Sequence, residues 1–524
     1  MMEQAERRLS RATGVVALGV LSSRILGFIR EMIFAGLLGA GWIADAFYVA
    51  YRIPNMLREL LAEGSMSAGF IPVFTESLKR SPSEARHLAR TTGTLLALIL
   101  AVVVGVGMIF APQMVSLMAP GFVDYPAQFS LAISLTRWMF PFLLFIAFSA
   151  LSMGILNSMG RFGPPAFSQS IFNIVSIVCM LTLVPVEPVY AAAMGVLFGG
   201  LAQWLIQVPA LWKEGFQPVL QRPLWPPPPA IVQMGQLILP TVLGLSVVQI
   251  NLFVNTLLAS TLSKGSVSYL YYSMRLIHLP LGLFAVALST ALLPTLSMQV
   301  ASDEISELRH TAALALRMIF FVTIPAMIGL IALRRPIIHV LFEHGAFDTI
   351  ATLGTANALL YYAMGLCAFA GIRVLAPVFY ALKDTRTPVK MASAALCVNI
   401  LLCVLLIAPL GYRGLALSTS LSALLNFSGL FLMLRHRLGS FEGLRTLRCG
   451  LQAVVLSILS TLPAFYVSFL PVWQTRGAWV YKTFLLFLIL SISAATYVAA
   501  QLLLKSEEGH VLYHKFTQRG PPRS

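Results

Sequence analysis

The chain has 524 residues, of which 58% are hydrophobic and only 11% are Asp, Glu, Lys or Arg, less than half the roughly 25% of a soluble domain. With so little polar surface to offer, it does not fit a soluble enzyme, a nucleic-acid binder or a disordered scaffold. The net charge of +16 therefore reports membrane topology, and the useful ruler is about 20 apolar residues per transmembrane helix.

In chain order, apolar windows predict fourteen spans, at 12–38, 43–63, 91–118, 129–157, 164–186, 189–212, 235–262, 267–299, 311–333, 351–381, 388–409, 413–434, 447–470 and 478–504. The apolar run of the first is interrupted by Arg24 and followed by no small-residue cleavage site, so it reads as a retained helix. Charges and Pro54 interrupt the second. The stretch PLWPPPP at 223–229 cannot be helical, because consecutive prolines lack donors and clash with the preceding turn. It reads as a linker near the middle of the chain. Five cysteines (179, 367, 397, 403, 449) form no C-x-x-C pair, so neither a disulfide framework nor a zinc site is expected. The stretch 336–343 reads as a short helix at the outer interface, with Arg334 and Arg335 snorkelling or capping a helix end.

With the N-terminus inside, the segments between spans place 22 Lys and Arg on the cytoplasmic side and five on the other, Lys264, Arg334, Arg335, Arg413 and Arg476. That bias predicts both termini in the cytoplasm. The other nine of the 36 cations lie inside spans.

The two halves repeat. Tyr48 to Arg52 (YVAYR) aligns with Tyr271 to Arg275 (YYSMR), Ser67 to Thr75 with Ser289 to Ser297, and Pro165 with Pro388, all at an offset of 222 or 223. Six spans separate the copies, so the repeat is parallel. The predicted fold is an all-α polytopic membrane protein. An N-lobe (1–222, spans one to six), a proline-rich cytoplasmic linker (223–234) and a C-lobe (235–440, spans seven to twelve) precede spans thirteen and fourteen and a basic tail (441–524). Two pseudo-symmetric six-helix lobes around a central cavity are a transporter architecture.

Spans one and two carry Arg24, Arg30, Glu31, Asp45, Arg52, Arg58, Glu59 and Glu63, whereas spans three to six carry one such residue, Arg137. Each arginine near a bilayer centre costs about 2.5–3.5 kcal/mol on insertion scales, so these must face water, each other or a ligand. Arg24 and Glu31 are seven apart, and Asp45, Arg52, Glu59 and Glu63 follow one stripe. Structural pairing of Arg24 with Glu31 and Arg52 with Glu59 is one reading. A cationic cavity for a phosphorylated head group is the other, since the planar guanidinium fork suits phosphate oxygens. Arg275 and His278 share a face in the second half.

The motifs SRILGFIRE (23–31), GAGWIADAF (39–47), RIPNMLRELLAEG (52–64), SYLYYSMRL (268–276) and RVLAPVFYALKDTRTPVK (373–390) resemble the MurJ (MviN) lipid II flippases over essentially the whole chain. The resemblance implies the multidrug/oligosaccharidyl-lipid/polysaccharide exporter superfamily fold, the bacterial inner membrane, and export of undecaprenyl-pyrophosphate-linked peptidoglycan precursor by alternating access. By position it assigns substrate binding to Arg24, Arg30, Arg58 and Arg275, with Asp45 and Glu63. Arg52, Glu59, Glu31, His278 and Arg373 take accessory places. Lipid II and membrane lipids become the expected partners, with the cell-wall synthesis machinery beside them. The last two spans, in such proteins, help form a groove for the lipid tail.

Two positions depart from the family pattern. His278 stands where some relatives carry an acid, which makes the cavity more positive and open to pH dependence. The sodium site of some relatives falls here on Asn255, Asn399, Cys403 and Thr419, without a carboxylate, so sodium coupling and a resident metal are not expected. No cofactor is expected either. The chain has no Gly-Lys dipeptide, hence no nucleotide-binding loop. It has no G-x-S-x-G elbow, hence no expectation of hydrolysis. Two alternatives remain open at this level. An exporter of another undecaprenyl-linked glycan would differ only in head group. A cation-coupled drug exporter of the same superfamily would need an acidic cavity.

Overall fold

The computed structural model describes residues 2–60, 66–183, 185, 187–217, 228–439, 442–473, 475 and 477–509, with side chains from residue 14 onward except at 67 and 68. Glu63, most of the proline run and the end of the basic tail lie outside the described residues. Among the described residues the regular structure is helical, with no strand.

The first ten helices are α1 (Met2–Leu38), α2 (Trp42–Arg58), α3 (Ile71–Arg80), α4 (Pro82–Ile109), α5 (Ala111–Met118), α6 (Pro126–Met139), α7 (Phe142–Ser158), α8 (Gly163–Thr182), α9 (Pro188–Leu205) and α10 (Val208–Lys213). The next nine are α11 (Pro229–Ser260), α12 (Ser266–Pro280), α13 (Val286–Ala301), α14 (Ile305–Ala332), α15 (Arg334–Phe342), α16 (Thr349–Ala363), α17 (Leu366–Ala381), α18 (Arg386–Leu410) and α19 (Tyr412–Leu438). Helices α20 (Gly443–Val467) and α21 (Trp479–Leu503) follow.

Local chemistry sets the ends. Ser81 opens α4 by accepting the Ser83 N–H at 3.2 Å, and Pro82 fills the first helical position, where its missing donor has no partner to lose. Asp348 caps α16 by accepting the Ala351 N–H at 2.7 Å. Arg334 Nη1 donates to Ile331 O at 2.7 Å and so closes the end of α14, the capping role expected of it. The predicted outer helix is α15.

Eleven helices among the described residues are long and apolar enough to cross a membrane, and twelve if α16 and α17, bent by 44° at their junction, form one span. These correspond to predicted spans three to fourteen. The first two predicted spans fall outside that set. They correspond to α1 and to α2, whose 17 residues include Asp45, Arg52 and Arg58. Leu239, Leu243, Ile99, Val102, Leu451 and Phe487 are each more than half exposed, which suits a surface solvated by lipid rather than water.

The repeat extends to element boundaries. Adding 223 to the limits of α4 gives 305–332, the limits of α14. The same shift carries α5, α6 and α7 onto α15, α16 and α17 to within a residue. The backbone is π-helical at 59–60 and again at 281–285, the equivalent place in the second copy.

By packing, the described chain forms two compact units, 1–267 with 344–347, and 268–343 with 348–524. In the first, α1 lies along α8, α8 along α9, and α2 against α6. Gly19 permits the α1–α8 approach, since a Cβ there would sit 2.5 Å from Ala166 O. Helix α11 packs in this unit. In the second, α18 pairs with α19, and α14 packs on α17 and α20. Phe321, Ile324, Ala453 and Tyr497 form a buried cluster joining α14, α20 and α21, and the Tyr497 hydroxyl donates to Phe321 O at 2.9 Å.

Candidate functional site

Apart from Arg137, the charged residues within the predicted spans of the first unit's repeat copy lie on α1 and α2 and in the residues after α2. Helix α2 carries Asp45, Arg52 and, one residue past its end, Glu59 at seven-residue spacing, so all three lie along one face. That face runs antiparallel to α11. Arg52 Nη1 donates to Thr256 Oγ1, and seven residues on, Glu59 Oε2 accepts from Gln249 Nε2 at 2.6 Å. Each two-turn step up α2 thus matches a two-turn step down α11. Beyond the end of α11, Asp45 Oδ2 accepts the Gly265 N–H at 2.6 Å. Asn55 Nδ2 also donates to Glu59 Oε1 at 3.0 Å.

On α1, Arg30 Nη2 pairs with Glu31 Oε1 at 2.7 Å, and its guanidinium lies 5.3 Å over the Phe172 ring of α8. Arg24 follows Ser23, whose carbonyl accepts from Asn173 Nδ2 at 3.0 Å. The turn between α1 and α2 is fixed by Gly39, at φ +66°, and Gly36 O accepts the Ala346 N–H at 2.8 Å.

Burial sorts the signs. Glu31 and Asp45 are only 5% and 2% exposed, while Arg24, Arg30, Arg52 and Arg58 are half-buried. Glu31 and Asp45 serve as internal acceptors, whereas the guanidinium groups, like the half-buried Glu59, keep access to solvent or a ligand. This leaves the accessible surface of the hairpin biased toward positive charge. Glu63 lies outside the described residues.

In the second unit, Arg275 of α12 is half-buried. Its Nε and Nη2 donate to Tyr271 Oη at 3.1 and 2.6 Å, and its guanidinium stands 4.9 Å over that ring. His278, one turn on, and Arg373 on α17 are exposed. Of the four positions of the sodium site, Asn399, Cys403 and Thr419 are buried on α18 and α19. Cys403 Sγ lies 3.8 Å from Asn399 Oδ1, and Thr419 donates to Leu415 O at 2.9 Å. Asn255 stands on α11 in the first unit.

Sequence reasoning overlooked Thr256, Gln249 and Tyr271 as partners of the charged set. A signal for the first two exists. They are seven apart, as Arg52 and Glu59 are, on a helix without a charged residue. Tyr271 is four residues before Arg275, one turn away on the same face.

A many-helix membrane fold built from two copies of one unit, with half-buried arginines on the leading helices of each copy, defines a transporter class. A solved inward-facing multidrug resistance transporter of the MATE family in the MOP superfamily shares this fold, with a TM-score of 0.69 over 80% of this chain and 96% of that one at 15% identity. The family is more specific. The model described as lipid II flippase MurJ matches residues 34–490, and this chain belongs to that family. It is 40% identical to a probable lipid II flippase MurJ of Vibrio cholerae over 81% of this chain and 82% of the relative. It is 37% identical to the lipid II flippase MurJ of Burkholderia cenocepacia over 82% and 84%. A solved structure of lipid II flippase MurJ in an inward closed conformation aligns with a TM-score of 0.76 and 27% identity, covering 93% of this chain and 99% of that one.

Proposed function

We propose that this chain is a lipid II flippase of the bacterial inner membrane. It moves the undecaprenyl-pyrophosphate-linked precursor to the outer leaflet by alternating access and performs no covalent chemistry. Family membership over residues 34–490 carries the reading, and the half-exposed arginines of α1, α2 and α12 supply chemistry that suits it. Arg24, Arg30, Arg58 and Arg275 bind the pyrophosphate, each able to donate two parallel hydrogen bonds to its oxygens. Asp45 and Glu63 are sensitive acids of the same hairpin. Arg52, Glu59 and Glu31 hold its geometry, and His278 and Arg373 add accessory charge. Both termini are cytoplasmic, the repeat lobes are 1–222 and 235–440, and the cell-wall synthesis machinery is the protein partner.

The test is complementation of a flippase-depleted bacterium, paired with lipid II movement in proteoliposomes. Arg24→Ala and Arg275→Ala should each abolish growth at normal protein level, and both should lose translocation. Full growth of either variant overturns the pyrophosphate clamp. Wild-type protein that moves another undecaprenyl-linked glycan but not lipid II overturns the substrate.

A further inference from the structure

The repeat sets an apolar groove at the same place in each unit, and different elements border the two. In the second unit, α14, α17 and α19 form a groove of about 960 Å³ lined by Leu316, Phe320 and Phe427, and α20 borders it with Leu447, Leu451 and Val454. Subtracting 223 from the first three positions gives Gly93, Ala97 and Trp204, and all three line a groove of about 350 Å³ formed by α4, α7 and α9 of the first unit. The first copy is followed by α11, not by a helix pair like α20 and α21. Its groove is bordered instead by Leu211 of α10 and by Phe216 and Gln217, and its floor carries smaller side chains, because Gly93 and Ala97 stand where the second copy has leucine and phenylalanine.

The groove of the first unit differs in charge as well. Arg86, Arg90, Gly93 and Ala97 follow a helical stripe on α4, so two guanidinium groups one turn apart stand at one end of the apolar trough. Both line the groove, whose lining contains no carboxylate, whereas Glu442 lines that of the second unit. Among the described residues neither arginine pairs with an acid. Arg86 Nε donates to Pro82 O at 3.2 Å. Trp204 stacks on Phe148 at 5.3 Å, and Trp212 is exposed nearby on α10, the placement of aromatic residues at head-group depth.

We propose that this groove binds an anionic phospholipid, with one acyl chain along Gly93 and Ala97 and the phosphate on Arg86 and Arg90. The topology proposed above places this groove in the cytoplasmic leaflet; the binding does not depend on that topology.

The full-length protein in neutral detergent is titrated with phosphatidylglycerol or phosphatidylcholine, and bound lipid is counted by native mass spectrometry. Wild type should retain phosphatidylglycerol over phosphatidylcholine. Arg86→Gln with Arg90→Gln should weaken phosphatidylglycerol by about tenfold and leave phosphatidylcholine unchanged. Gly93→Leu should weaken both lipids. A Cβ at Gly93 meets only Leu151 Cδ2 at 3.6 Å, an ordinary contact, so this variant fills the groove without displacing backbone. Undiminished phosphatidylglycerol binding in both variants overturns the proposal. So does full displacement of the lipid by inorganic phosphate, or a loss seen only with Arg435→Gln and Arg445→Gln in the groove of the second unit. Because lipid II movement is not measured, the outcome stands apart from the transport reading.

Discussion

At the scale of single residues, the charged side chains divide by what satisfies them. Glu59 accepts from two neutral donors, Asn55 and Gln249, which makes it a bolt between α2 and α11. A double-mutant cycle of Glu59→Leu and Gln249→Leu, followed by denaturant unfolding in mixed micelles, should give a coupling of about 0.5–1.5 kcal/mol; additive losses would dissolve the bolt. Arg317 of α14 is 2% exposed and meets Glu442 and, at 3.0 and 3.3 Å, Glu508 and Glu507. Arg317→Leu strands these acids and should cost about 3–5 kcal/mol. Burial pushes the Glu442 carboxyl up, but hydrogen bonds from His310 and Arg317 outweigh it and hold the group below its ordinary value. A depressed carboxyl stabilises the fold above its unfolded value of about 4.3 and loses that contribution as pH falls through the folded value. Thermal stability of the wild type should therefore drop below about pH 4, and Arg317→Leu should flatten that drop. Composition marked Arg317 as one of nine cations inside spans. Its acids stand up to 191 residues away (Glu508), and no periodicity links positions so distant.

At the scale of helices, sequence carried most of the information, because a long apolar run is its own signal. The twelve apolar spans, the short helix α15 and the repeat were all legible from spacing. The pairing of elements was not. Helix α11 packs with the first unit, and the α2–α11 ladder emerges only when two seven-residue spacings, one charged and one polar, are set side by side. Close helix approach is likewise invisible in composition, since glycine is common throughout the chain. Gly19 faces the Ala166 backbone, whereas a Cβ at Gly14 would meet nothing within 4 Å. Gly19→Val should therefore part α1 from α8 and lower the melting temperature by several degrees, with Gly14→Ala close to wild type as the control. Equal melting temperatures for the two variants would mean that α1 is not held by that contact.

At the scale of the molecule, the constant offset of 223 between α4 to α7 and α14 to α17 implies two units of common descent that have diverged in charge and in the helices that follow them. The first copy carries the dense charge of α1 and α2; the second gained α20 and α21, bound to α14 through Tyr497 and to its buried arginine through Glu508. A parallel repeat requires an even number of crossings between equivalent helices. If α4 begins at the cytoplasmic face, then α14 must begin there as well, and α15 lies on the outer side. The cations agree, with four at 79–90 and a bias of 22 to 5 overall by the expected spans. Alkaline phosphatase inserted at Gly345, in the loop after α15, should be active, and a green fluorescent protein fused after Leu503 should fluoresce. Reporter activity of the opposite kind at both places would invert the topology. Opposite behaviour at only one would break the count of five crossings between the two sites, with α16 and α17 taken as one span.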